Sequence, residues 1–132
     1  MNRVQLQDLV RYRLQQASET LAEATLLRDA GAFRGAVNRA YYAMFYALLA
    51  LLATRQLGAS KHSAAIALFD RDFVKTGVFS PEFSRALHLA FQRRQIHDYG
   101  EVVHADLLTA NESIADAERF VAVIVTYLSA YS

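Results

Sequence analysis

The chain has 132 residues, 54% of them hydrophobic, with no cysteine and a formal net charge of +1. Residues 1–132 therefore read as one ordinary domain with enough apolar side chains for its own core. Disulfides, thiolate metal sites and thiol nucleophiles are excluded.

The single proline and five glycines leave few breaks, and helical periodicity fills the intervals between them. A first helix is expected from about Val4 to Asp29, with Val10, Leu14, Ala17, Leu21 and Ala24 in alternating four- and three-residue steps. Gly31 suits the position just past its end. A second helix should span about Phe33 to Arg55, with Val37, Tyr41, Met44, Leu48 and Leu51 as its stripe and Gly58 closing it. Ala36, Ala40, Ala43 and Ala47 would let neighbours approach closely. The apolar run from Ala36 to Ala53 is broken by Asn38 and Arg39 and rich in tyrosine. It reads as a buried bundle helix and not as a membrane span.

Ser60 is placed to cap a third helix from Lys61 to about Lys75. Ser80-Pro81-Glu82 combines a capping hydroxyl, a first-position proline and a first-turn acid. It should start a fourth helix that runs to about Asp98, ahead of Gly100. The last helix covers about Ala105 to Tyr131, with Ile114, Ala117, Val121, Ile124 and Leu128 on one face. Short links favour antiparallel neighbours, so the expected class is all-α, an up-and-down antiparallel bundle of four to five helices. The N-terminus, Met1 to Asp8, lacks the apolar run of a signal peptide. With the missing cysteine this fits a cytoplasmic protein.

Charge is unevenly spread. Residues 31–100 hold nine Lys/Arg against four acids, whereas residues 101–132 hold one Arg against five acids. The middle of the chain could present a basic patch to an anion, or be an ordinary mixed surface.

The densest chemistry lies in Gln92-Arg93-Arg94-Gln95-Ile96-His97-Asp98-Tyr99-Gly100. Phe83, Leu87, Ala90 and Arg94 share the spacing of one helix face, so a guanidinium falls where an apolar side chain belongs. A charge there needs a partner, and Asp98 is one turn away. Either the pair closes a helix end, or Arg94, His97 and Asp98 form the catalytic floor of a site, with Arg93 as a second cation. Arginine neutralises phosphate and histidine moves protons near neutral pH, and cleavage of RNA by its own 2′-hydroxyl needs little more.

Ser60-Lys61-His62-Ser63 at a helix start could hold an anion, though such termini usually hold only water. The run Arg39-Ala40-Tyr41-Tyr42-Ala43-Met44-Phe45-Tyr46 could stack bases, but Tyr41 and Phe45 read as core, leaving Tyr42 as the ring for RNA. Glu101-Val102-Val103-His104 has Glu-x-x-His spacing without the second motif that a bundle di-metal site needs. No metal or cofactor is expected.

Ala36-Val37-Asn38-Arg39-Ala40-Tyr41-Tyr42-Ala43-Met44-Phe45, Lys61-His62-Ser63, Phe73-Val74-Lys75-Thr76-Gly77 and Arg94-Gln95-Ile96-His97-Asp98-Tyr99, in that order, resemble the HEPN (higher eukaryotes and prokaryotes nucleotide-binding) domains. The match is to a small stand-alone prokaryotic branch. The resemblance implies a four- or five-helix bundle that forms homodimers and works beside a minimal nucleotidyltransferase. It also implies a toxin–antitoxin pair in which the HEPN protein is an RNA-cleaving toxin. The family's RNase signature is Arg, four to six residues, then His-x-Tyr. His97-Asp98-Tyr99 fits the end of that pattern, but only two residues separate Arg94 from His97. The pattern is that of the branch with an altered signature, so metal-independent endoribonuclease activity should be weak or absent. Lys61, His62, Arg93 and Tyr42 are the RNA- or nucleotide-binding candidates. Tyr99 corresponds to the tyrosine that some partner transferases adenylylate. The alternatives are a non-catalytic dimerising interaction protein whose polar cluster is structural, and an enzyme acting on a small nucleotide.

Overall fold

A helix with one apolar stripe is stable only when that stripe is covered, and covering several such stripes with one another assembles the bundle. The computed structural model describes the backbone of residues 1–99 and 105–131 and the side chains of residues 1–95 and 105–130. The described residues form five α-helices and no strand: α1 (Arg3–Asp29), α2 (Phe33–Ala53), α3 (His62–Phe69), α4 (Pro81–Tyr99) and α5 (Leu107–Leu128). A π-helical turn, Asp70–Val74, extends α3, and a 3₁₀ turn, Ser129–Tyr131, ends the last helix. The all-α expectation holds.

The hub is α2, which packs on α1, α3, α4 and α5. Val37, Tyr41, Met44, Leu48 and Leu51 are all fully or almost fully buried, and so are Ala36, Ala40, Ala43, Ala47 and Ala50 on its other faces. A helix apolar all round is either a core helix or a membrane span. Its length and hydropathy meet the membrane criterion, but 72% of the apolar window is buried inside the bundle. The core role accounts for its composition.

Small residues set the closest approach. α1 buries Ala17, Thr20 and Ala24 completely or nearly so, while Val10, Leu14 and Leu21 are only partly covered. A second cluster fixes α3. Phe69 meets Phe73, Phe79 and Phe120, with ring centroids 6.3, 5.8 and 5.4 Å apart, which ties the α3 end to α5. The π turn is closed by Lys75 N–H donating to Asp70 C=O at 2.8 Å. It presents Asp70 to α4, where Ser84 Oγ donates to Oδ1 at 2.6 Å and His88 Nε2 meets Oδ2 at 2.7 Å.

The helix ends hold two corrections. Gly31 ends α1 as expected, at φ +80°, with Ala32 N–H donating to Leu27 C=O and Gly31 N–H to Arg28 C=O. α2, however, is reversed by Gln56 at φ +54°, not by Gly58. Leu57 N–H donates to Leu52 C=O and Gln56 N–H to Ala53 C=O, the same two bonds that close α1. Ser60 does not cap α3 either. The cap position is Lys61, in extended backbone with no side-chain cap bond. A left-handed conformation costs a non-glycine residue on the order of 1 kcal/mol. Gln56→Gly should therefore raise stability by up to about 1 kcal/mol in urea unfolding, and an unchanged or lowered midpoint would refute the strained turn.

Candidate functional site

The stripe of α4 behaves as its spacing requires. Leu87 is fully buried and Ala90 nearly so, and the same face carries Arg94 to the middle of α2, where it is half-buried. There its Nη2 donates to Tyr42 Oη at 3.0 Å. Its Cζ lies 5.5 Å from the Tyr42 ring and 5.9 Å from the Tyr41 ring, within cation–π range. Arg39 covers Tyr42 as well, with Cζ 4.9 Å from the ring centre, and is itself held by Asn38 Oδ1. Two guanidiniums thus flank one tyrosine.

His62, the first residue of α3, enters the same cluster. Its Nδ1 lies 2.7 Å from Tyr41 Oη. Its ring stacks on Phe45 at 3.9 Å, lies 5.7 Å from Tyr41 and meets Tyr42 edge-on at 5.8 Å. Burial pushes the Tyr41 hydroxyl well above the usual phenol range, although the Arg94 charge opposes this. The hydroxyl therefore keeps its proton. A buried phenol needs an acceptor, and Nδ1 of neutral His62 is one, which leaves the imidazole proton on Nε2. Burial, and after it the Arg94 charge, hold the His62 pKa below the usual imidazole value.

That shift has a definite sign. The unfolded chain takes up a proton at His62 near pH 6.5, while the folded chain resists it. Stability contributed here is complete above about pH 6.5 and is lost as pH falls through the lower folded pKa. NMR titration of the His62 Cε1 proton should give a midpoint below that of a histidine in an unfolded peptide, rising toward it in Arg94→Gln. A normal midpoint in both proteins would contradict the packing.

Chemically, the cluster offers a fixed guanidinium fork, an imidazole held by a hydroxyl, and aromatic faces. These suit a phosphate ester beside a stacked ring. Of the expected site residues, Arg94, His62 and Tyr42 come together. Lys61 is next in sequence and exposed. Arg93 turns to α5, donating to Glu112 Oε2 at 2.9 Å and to Ser113 Oγ at 3.3 Å. The side chains of His97, Asp98 and Tyr99 lie outside the described residues, as does the Glu101-x-x-His104 segment, and with Asp98 the expected Arg94–Asp98 pair. Among the described residues, no group of three or more His, Asp or Glu could hold a metal ion. The sequence reading set Tyr41 in the core and missed its hydroxyl as the anchor of His62. The signal available was a tyrosine on a stripe otherwise aliphatic.

The chain is similar to known proteins in sequence and in fold. The sequence pattern of the HEPN domain matches residues 10–127. A "UPF0332 protein" of Thermotoga maritima is 39% identical over 112 residues, 85% of each chain. A Methanocaldococcus jannaschii protein named "Putative toxin MJ0605" is 35% identical over 80% of this chain and 78% of its own. In fold, the chain is similar to the crystal structure of TT1696 from Thermus thermophilus, with a TM-score of 0.77, 22% identity, and 96% and 98% of the two chains covered. The match over residues 10–127 takes in α2, α3, α4, nearly all of α5 and α1 from its eighth residue on. With it, and with relatives that include a protein named as a toxin, this chain belongs to the HEPN domain family.

Proposed function

We propose that this chain is a toxin-like HEPN module that binds single-stranded RNA through the Arg94 cluster and is governed by a minimal nucleotidyltransferase partner. The observation that carries the reading is Arg94 itself. An arginine set into an apolar helix stripe is held against Tyr42 beside His62, where its guanidinium can meet a phosphate oxygen. Lys61 adds a cation near His62. The protein acts as a homodimer, so that two copies of α4 contribute to one cleft. Cleavage is weak or absent, because the Arg94-to-His97 spacing is too short for the family's RNase pattern. Tyr99 is the site for AMP transfer by the partner.

Binding to a labelled single-stranded RNA should fall with salt, with a log–log slope of about −1.4 to −2.1 for two or three phosphate contacts. Cleavage in metal-free buffer should be slight. Binding that ignores salt would defeat the phosphate reading, and efficient metal-free cleavage would defeat the inactive one. Co-expression with a neighbouring nucleotidyltransferase, followed by mass spectrometry of the peptide holding Tyr99, tests AMP transfer.

A further inference from the structure

Because α1 is fully covered only around Ala17, Thr20 and Ala24, its first turns leave a groove beside them. The groove holds about 530 Å³ and is lined in part by Leu6, Leu9, Arg13, Phe45, Leu57 and His62. That volume is within the roughly 300–1,000 Å³ of small-molecule sites. Among the described residues no carboxylate lines it, and its charged side chain is Arg13, which is braced by Gln16. His62 belongs to both places. It lines the groove while its ring lies against Tyr41 and Tyr42, the two rings that Arg94 covers. The groove and the cationic cluster are therefore adjacent.

We infer that this groove is a nucleobase subsite, which takes one base splayed from a single-stranded RNA whose phosphate lies on Arg94. The inference rests on the phosphate reading above. Aliphatic walls accept the faces of a flat base, and the Phe45–His62 stack supplies an aromatic platform. Gln56 and Ser60 also line the groove and can meet polar base edges. A lining with no carboxylate among the described residues, together with Arg13 and His62, suits an anionic strand. An apolar helix from a second copy fits less well, since it would desolvate Arg13 and His62 without pairing them.

The test compares a base-bearing hexaribonucleotide with a fully abasic ribose-phosphate hexamer, by fluorescence anisotropy on the full chain. The base-bearing strand should bind at least tenfold tighter. Leu9→Trp, which fills the groove at a half-buried position, and Leu9→Glu, which adds a carboxylate, should bring it down to the abasic level. Leu9→Trp should leave abasic binding unchanged, Leu9→Glu should weaken it only slightly by charge repulsion, and neither should change the circular dichroism spectrum. Arg94→Ala should weaken both strands alike. Equal binding of the two strands, or no effect of either Leu9 variant in a folded protein, overturns the subsite while an Arg94→Ala loss keeps the phosphate reading. Base-dependent binding that responds to Leu9 but ignores Arg94→Ala keeps the subsite and sinks the phosphate reading. AMP binding as tightly as the hexamer, or a dimer that both Leu9 variants dissociate, shows another occupant and overturns the inference. Failure of every strand to bind overturns both.

Discussion

Replacing Arg94 by alanine is expected to cost about 2 kcal/mol of stability and to weaken single-stranded RNA binding at least tenfold. The stability figure comes from one charge-assisted hydrogen bond to Tyr42, typically worth about 1.5–3 kcal/mol. The stacking of the guanidinium on Tyr41 and Tyr42 adds a smaller amount. Tyr42→Phe in the wild-type background should cost less, and a double-mutant cycle between the two positions should show a coupling of about 1 kcal/mol or more. Arg94→Lys keeps the charge but loses the planar fork, so it should restore part of the salt dependence and little of the stability. Arg93→Ala offers the contrast. Arg93 ties α4 to α5 through Glu112 and Ser113, so its loss should lower the melting temperature and leave RNA affinity within about twofold. If Arg93→Ala abolished RNA binding and Arg94→Ala did not, the roles assigned to the two arginines would be reversed.

Phe69→Ala is expected to be the most damaging single core change, at about 3–5 kcal/mol. Phe69 is fully buried and is the ring at which Phe73, Phe79 and Phe120 meet. The cavity would open between α3 with its π turn, the approach to α4, and α5. These are the contacts that tie the end of α3, the helix that begins at His62, to α5. A domain of this size has roughly 5–15 kcal/mol to lose, so the variant should be poorly stable, and any folded fraction should show His62 titrating closer to its free value. Urea unfolding measures the first effect and NMR the second. A cost below about 1 kcal/mol would mean that α3 is held in place by other contacts.

Much of this was legible in the chain. The stripe Phe83, Leu87, Ala90, Arg94 places a guanidinium on the buried face of α4, because helical spacing alone decides which residues share a face. The same geometry separates Arg93 from Arg94. Adjacent helical residues point about 100° apart, so one reaches α5 and the other α2. The sequence reading set Arg93 beside Arg94 as a second cation of one site, because adjacency in the chain carries no direction. The Tyr41–His62 bond joins residues 21 positions apart on two helices. It depends on how α3 leaves the turn at Gln56, and residue propensities do not encode that angle. Gly58 was the natural breaker by composition, yet Gln56 takes the left-handed position, since the Leu57 and Gln56 amide bonds to α2 carbonyls select the turn. Ser60 likewise fails as a cap because α3 starts two residues after it.

The most direct test is an NMR titration of the full chain with single-stranded RNA, following the Arg94 Nε–H and His62 Cε1–H resonances together. Both should shift on one saturating curve, at RNA concentrations that rise with salt. If RNA binds while neither resonance moves, the ligand sits elsewhere, and the Arg94 cluster is a packing feature of the bundle.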